Sequence, residues 1–261
     1  MKQYYLLGPF LLYSVLLLAQ NKVVPFSMGI GVGVDIISIK DNAASPLNYS
    51  GFGLPIGVNG LKINKKWIHH FEALFVIPAI TNNYPLTSNV NTQLNSWTKV
   101  NVSYQALRCI GSDSLSYLGV QLKSDFFYRE YDFLDGMSWE LVNGLNINFA
   151  RKILLSDNSF LLTQISIPIV AYVNRKSSLT FDEIFLDDFY NNGPLSLFKY
   201  GTWKLNFDKW IAVEFNLLFH KKISNRLNLL SKIGINYYAI HFPEKVYNLN
   251  IPISCYLNYQ F

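Results

Sequence analysis

Phe26-Ser27-Met28-Gly29-Ile30-Gly31-Val32-Gly33-Val34-Asp35-Ile36 is two interleaved sets of residues. The even positions are all apolar and the odd ones are all small or polar. Successive side chains of a β-strand point to opposite faces, so this stretch is a strand with one oily face and one small or polar face. The next segment repeats the pattern: Phe52, Leu54, Ile56 and Val58 alternate with Gly51, Gly53, Pro55, Gly57 and Asn59. Each oily face must be covered by another layer or by lipid.

The same alternation runs to the C-terminus. Phe71, Phe75 and Ile77 oppose His70 and Glu72, although Leu74 and Val76 interrupt the polar face. Val100, Val102 and Tyr104 oppose Asn101, Ser103 and Gln105. Leu118, Val120, Leu122 and Phe126 oppose Gly119, Gln121, Lys123 and Asp125, and Trp139, Leu141, Leu145 and Ile147 oppose Glu140, Gly144, Asn146 and Asn148. Ile165, Ile167, Ile169 and Val173 form another apolar face, as do Val213, Phe215 and Leu217. Leu227, Leu229, Ile233 and Ile235 follow, and then Leu249, Ile251, Ile253, Leu257, Tyr259 and Phe261. About ten strands result, each of the roughly 9–11 residues needed to cross a bilayer. No amphipathic helix pattern is available to cover them. An open sheet edge in hydrocarbon would strand backbone donors and acceptors, so the sheet must close. The expected fold is all-β: a transmembrane up-and-down antiparallel barrel of about ten strands, with twelve as the alternative.

Composition agrees. The chain of 261 residues is 50% hydrophobic and 15% charged, against about a quarter charged in soluble domains. The net charge of +5 is spread in short clusters such as Asn64-Lys65-Lys66 and His220-Lys221-Lys222. Nucleic-acid binding requires a concentrated basic face, and none is present. Cys109 falls on the inward face and Cys255 on the outward one, which disfavours a disulfide.

Residues 1–19 read as an export signal: Lys2, then the apolar run Leu6 to Leu18, then the small Ala19. Residues 20–261 form the barrel. Short turns are expected at Asn64–Lys66, Gly111–Asp113, Arg151–Ser159 and His220–Arg226, and longer loops at Lys40–Tyr49, Thr81–Ser96, Arg129–Met137 and Arg175–Lys209. Barrels of this kind place short turns on the periplasmic side. Leu195–Leu205 is expected above the membrane, as an extension of a neighbouring strand. Trp67, Trp139, Trp210, Tyr128 and Tyr259 fall near strand ends, where an interfacial girdle would sit.

The last strand, Tyr247–Phe261, carries Leu257, Tyr259 and a terminal Phe261 on its oily face. This ending resembles the C-terminal assembly signal of outer-membrane barrels. The phrase Phe215–Tyr238, centred on Lys222-Ile223-Ser224-Asn225-Arg226, looks like the small barrels of Bacteroidota-type bacteria, the PorT-like and small porin-like group. The resemblance implies residence in outer-membrane lipid and handling by the barrel-assembly machinery through the strand ending in Phe261. It carries over no catalytic residue, and the group includes secretion accessories.

Gly29, Gly31 and Gly33 lack the spacing of a nucleotide loop and precede no helix. The inward charges Glu72, Lys123, Asp125, Glu140, Glu214 and Lys232 predict a polar network in the lumen, either a salt-bridged plug or a small polar pore. Pro55, Pro78, Pro168 and Pro252 lie inside strands, where proline removes a ladder donor. Tolerated bulging is the plain reading of them. The sharper one is a side opening at Pro55 and Pro168 that admits lipid or an apolar solute, and an unbroken ladder there would remove it. Rim proteases of similar size use acidic and histidine residues on the extracellular side; Asp187, Asp188 and His241 would lie there, but the Asp-x-His arrangement is absent. His69 and His70 have no metal-site partner spacing and are expected at the interface. No cofactor or metal is expected. The expected function is a non-enzymatic barrel with a narrow transport or permeability role. A membrane-embedded accessory of secretion or envelope assembly is the alternative, and an outer-membrane protease or lipid-modifying enzyme the second.

Overall fold

The computed structural model describes residues 26–41, 48–79, 94–111, 114–131, 136–176, 191, 193, 201–207, 210–241 and 245–261. The expected export signal and Asp187 and Asp188 lie outside the described residues. The strands are β1 (Phe26–Asp41), β2 (Asn48–Ile63), β3 (Trp67–Ala79), β4 (Leu94–Cys109), β5 (Ser116–Tyr131) and β6 (Gly136–Ser156). They continue with β7 (Ser159–Lys176), the short β8 (Thr202–Leu205), β9 (Trp210–Lys222), β10 (Leu227–Ile240) and β11 (Val246–Gln260).

Ten of these form the wall. Each pairs antiparallel with its neighbour, and β1 closes on β11 from Ser27 opposite Gln260 to Asp41 opposite Val246. The fold is a closed ten-stranded antiparallel barrel. β8 is not an eleventh wall strand. Its four residues pair with β7 from Val170 to Val173, so part of the Leu195–Leu205 segment does extend a neighbouring strand.

The connections differ in detail from the sequence reading. β6 runs through Ser156, so only Asp157 and Asn158 separate it from β7. β9 runs to Lys222, and the Ser224 hydroxyl accepts from the backbone N–H groups of Arg226 and Leu227 to tighten the turn. β5 and β6 stay paired to Tyr131 and Gly136, which leaves four residues where a longer loop was expected. Backbone pairing continues past the apolar band because it satisfies main-chain polar groups whatever the side chains are.

The faces follow the alternation. Ile30, Val32, Ile56, Val120, Leu122 and Ile253 are exposed on the outside, while Asn59, Asn101, Gln121, Asn148 and Asn258 are buried inside. Some assignments fail: Trp139 and Leu141, expected exposed beside Leu145 and Ile147, are buried, and so is Val173. The alternation puts Val173 with Ile165, Ile167 and Ile169 on the outer face, but it is buried in the lumen beside Ala171. The cause is a register shift between β6 and β7, where Leu145 pairs with Val170 but Asn146 pairs with Pro168. Ile169 is the extra residue, and one extra residue swaps the faces of everything beyond it.

The lumen is layered, which was not expected. Toward the short-turn end, Leu61, Ile68, Leu107, Tyr117, Phe160, Leu162, Leu218, Leu230 and Tyr256 form an apolar cluster. Toward the loop end, Ile37, Ile39, Tyr49, Val76, Trp97, Phe127, Trp210, Ile240 and Val246 form a second. Polar and charged side chains lie between them. Trp210 therefore belongs to the interior rather than to an interfacial girdle, and Trp139 is also buried. Trp67 and Tyr259 are exposed, as a girdle requires.

Candidate functional site

The middle of the lumen brings together the charges picked out in sequence. Glu72 on β3 receives Lys232 from β10, Nζ to Oε2 2.5 Å, and its other oxygen accepts from the Tyr256 hydroxyl at 2.8 Å. Lys123 on β5 lies 2.5 Å from Oε1 of Glu214 on β9 and 3.1 Å from Oδ2 of Asp125 on its own strand. Asn101 donates to the other Asp125 oxygen at 2.6 Å. Period-two spacing sends Lys123 and Asp125 to the same face; barrel closure brings Glu214 to them.

Two participants were missed. Asp35 on β1 pairs with Lys99 on β4 at 3.1 Å and also accepts from the Asn250 amide. Asp35 was visible in the polar set of the first strand, and Lys99 shares the inward parity of Asn101. Glu140 does not join this layer. It stands in a separate upper group, where Arg129 approaches at 3.3 Å and Arg175 at 3.9 Å and the Tyr238 hydroxyl donates to it. Arg129 and Arg175 escaped the sequence reading because both were assigned to loops. Below the charges, amides continue the network: Gln164 and Asn148 both donate to Gln105, and Asn146 donates to Gln121.

Every inward charge predicted in sequence thus has an opposite charge in reach. Removing water from an ion is costly, and a buried pair recovers that cost only through close geometry and further hydrogen bonds. Cavities remain among the described residues. One of about 60 Å³ is lined by Lys99, Lys123, Asp125, Glu140 and Glu214 together with Phe127, Val142, Pro168, Trp210 and Ala212. A smaller one of about 30 Å³ lies beside Asp35, Pro55, Glu72, Lys232 and Pro252. Both have room for a few water molecules. Above and below lie the apolar clusters, in which Leu107, Leu230 and Tyr256 are 0% exposed, as are Ile240 and Val246.

The strand prolines interrupt the wall unevenly. Opposite Pro55 the β1–β2 ladder skips from Val32–Ile56 to Asp35–Gly53, and opposite Pro252 the β10–β11 ladder skips from Ile233–Ile253 to Asn236–Asn250. The register is unchanged across both gaps, and the opposite edges of these strands stay paired through Pro55–Val76 and Pro252–Asp35. At Pro168 the change is larger. There β7 carries the bulge toward β6, and its pairing with β9 ends at Ser166–Glu214.

The remaining candidates are scattered. His69 points outward, with Nδ1 2.8 Å from the Tyr104 hydroxyl, whereas His70 is buried inside. His70 is therefore a lumen residue and not an interfacial one, because its parity is that of Glu72. His241 is exposed and lies beside the Tyr247 ring. Among the described residues, no group of three or more His, Cys, Asp or Glu is placed to hold a metal ion. Cys109 and Cys255 are both free thiols.

No protein-family model matches the chain, and no curated protein matches it by sequence. Solved structures do. The outer-membrane protease OmpT of Escherichia coli superposes with a TM-score of 0.52 at 8% identity, covering 91% of this chain and 97% of that one. The fold is that of the outer-membrane β-barrels. The translocator domain of the autotransporter NalP from Neisseria meningitidis has a TM-score of 0.43 at 10% identity, over 98% of this chain and 95% of that one. OprG of Pseudomonas aeruginosa has a TM-score of 0.33 at 11% identity, over 92% of this chain and 97% of that one. At such identities the likeness is one of fold alone.

Proposed function

We propose that this chain is a non-enzymatic barrel of the outer membrane with a narrow permeability role, closed to ions at rest. The observation that carries the reading is the charged middle layer with its cavities, held between two apolar layers. A purely structural plug gains nothing from buried charges, since apolar filling of the same volume is as stable or more so. Charges that retain water-sized space beside them fit a polar passage whose two ends are shut. Residence in the membrane is supported by the outward band of Ile, Val, Leu and Phe, which no second layer of the described residues covers. Export by a signal in residues 1–19 belongs to the same reading. So does handling by the barrel-assembly machinery: Leu257, Tyr259 and Phe261 all face outward on the closing strand. A place in the PorT-like or small porin-like group rests on the terminal strand and on the Lys222–Arg226 turn.

The sealed ends favour one other reading, that of a membrane-embedded accessory to secretion or envelope assembly. Planar-bilayer recording separates the two. The wild-type barrel is expected to show rare, brief openings. A Leu107→Ala, Leu230→Ala double variant, which thins the lower apolar layer, is expected to show long ones. If both proteins are silent and partners co-purify with the barrel, the permeability reading fails and the accessory reading takes its place.

A further inference from the structure

The wall between β7 and β9 is built differently from every other part of the barrel. The two strands pair from Ser159–Lys221 to Ser166–Glu214 and then stop. Above that point β7 pairs instead with β8, from Val170–Leu205 to Val173–Thr202. The junction is spanned by Asn206. Its backbone N–H donates to the Ile169 carbonyl on β7 at 2.9 Å. Its side-chain oxygen accepts from the Ala212 N–H at 3.0 Å, and its side-chain nitrogen donates to the Ala212 carbonyl at 3.2 Å, both on β9. One amide side chain thus does the work of a missing stretch of ladder. The residue after it, Phe207, has φ +70°, a left-handed conformation that costs a bulky residue about 1–2 kcal/mol. Trp203, Leu205 and Phe207 are 71%, 63% and 73% exposed on the outside of this strap.

The larger cavity reaches this seam through Pro168 of β7 and through Trp210 and Ala212 of β9, the last of which Asn206 holds. Its charged groups are already paired, with one another or with Asp35, Arg129 and Arg175. Three neutral polar atoms of the residues that line it are buried without a hydrogen-bond partner: the indole N–H of Trp210 and the amide oxygens of Asn236 and Asn248. Trp210 and Asn248 are more than nine-tenths buried. One unpaired donor and two unpaired acceptors, next to paired charges, suit a neutral group that can both accept and donate. A hydroxyl does so; a carboxylate would meet the acidic side of the cavity, and an ammonium would compete with lysines already paired.

We propose that the β7–β9 seam is a lateral binding site for an uncharged single-chain amphiphile. Its hydroxyl lies in the cavity against Trp210 Nε1 and the Asn236 and Asn248 oxygens, and its chain runs out between Pro168 and Ala212 to the bilayer. The cavity is large enough for the head alone, which is why the chain must occupy the seam. Asn206 is the latch, and the strap Thr202–Phe207 covers the chain. The site does not depend on the lumen conducting: a barrel silent in bilayers that still binds the amphiphile refutes the permeability reading and leaves the site standing.

The test is photolabelling of the whole protein in lipid nanodiscs with dodecanol carrying a diazirine near its hydroxyl, mapped by mass spectrometry. Labels are expected on Phe127, Val142, Pro168 or Ala212. Trp210→Phe keeps the ring and removes the N–H, and is expected to lower that labelling about fivefold, the loss of one hydrogen bond. Asn206→Ala is expected to speed its onset. Heat-modifiable gel migration confirms that each variant is folded. The proposal is overturned if labels fall only on outward residues such as Ile165, Ile167 and Val213. It is equally overturned if Trp210→Phe labels like the wild type, or if a diazirine-bearing dodecane labels the cavity as well as the alcohol does.

Discussion

The β1–β11 seam and the β7–β9 seam solve the same problem in opposite ways. At β1–β11 the first and last strands meet in an uninterrupted register from Ser27–Gln260 to Asp41–Val246, even past Pro252. At β7–β9 the ladder covers only the lower half, and above it Asn206 and β8 supply the missing bonds. Hydrocarbon tolerates no unpaired backbone group, so both seams must be satisfied. A continuous ladder does this with many bonds that fail together. A side-chain latch does it with a few that can fail alone. Local stability should therefore be lowest where β7 leaves β9.

The largest effect expected from breaking that contrast comes from Glu140→Ala. Glu140 ties β7 to the interior through Arg175 and holds Arg129 from β5. Its loss takes a carboxylate from beside two buried guanidiniums and is expected to cost about 3–5 kcal/mol, the range for removing one member of a buried pair. The readout is the denaturant midpoint in detergent micelles, with β7 losing hydrogen-exchange protection before β1 does. Equal loss at both seams would mean that Glu140 supports the barrel evenly.

Gly33→Val attacks the strong seam instead. A Cβ at Gly33 would lie 1.9 Å from the Ile253 carbonyl oxygen, so the β11 backbone has to move. A cost of about 1–3 kcal/mol is expected from overpacking, together with slower appearance of the heat-resistant folded band. Unchanged folding would show that the closing register has slack.

Asn206→Ala removes three side-chain bonds, two to Ala212 and one from the Phe207 N–H, and is expected to cost about 1–2 kcal/mol. Exchange of the Ala212 amide should quicken while that of Val32, paired at both edges, stays as it was. If both amides respond alike, Asn206 is not a local latch.

The smallest effect concerns the cysteines. Cys255, exposed on the outer face near the closing seam, should react with a lipid-soluble maleimide well before Cys109, which is partly buried and donates to the Gly111 carbonyl. Neither modification should move the unfolding midpoint by more than about 0.5 kcal/mol, the scale of a surface change.

Much of this was legible in the sequence, because a two-residue period leaves a direct trace. Val32, Ile56, Val120 and Ile253 face outward as their spacing requires, and ten wall strands match the count. The inner layers were not legible. Ile37, Ile39, Leu74 and Val76 are apolar and inward, and a reading that sends oily residues to lipid treats them as noise. Val173 was misplaced because one bulged residue, Ile169, reverses parity without any mark in composition. The charges were found but not their partners: Glu72 and Lys232 stand 160 residues apart, and only closure of the barrel brings them together. Arg129 and Arg175 were lost with the loop boundaries, since strands extend beyond the apolar band that defines them in sequence.

The central claim is that oily residues face the bilayer while the lumen is shut off from water by its own side chains. Nitroxide labels placed singly from Val100 to Gln105 on β4, in the reconstituted barrel, test it most directly. Collision with oxygen dissolved in lipid should be high at Val100, Val102 and Tyr104 and low at Asn101, Ser103 and Gln105. Collision with a water-soluble nickel chelate should be low at all six. A flat oxygen profile, or strong chelate access at the inward three, would contradict the account.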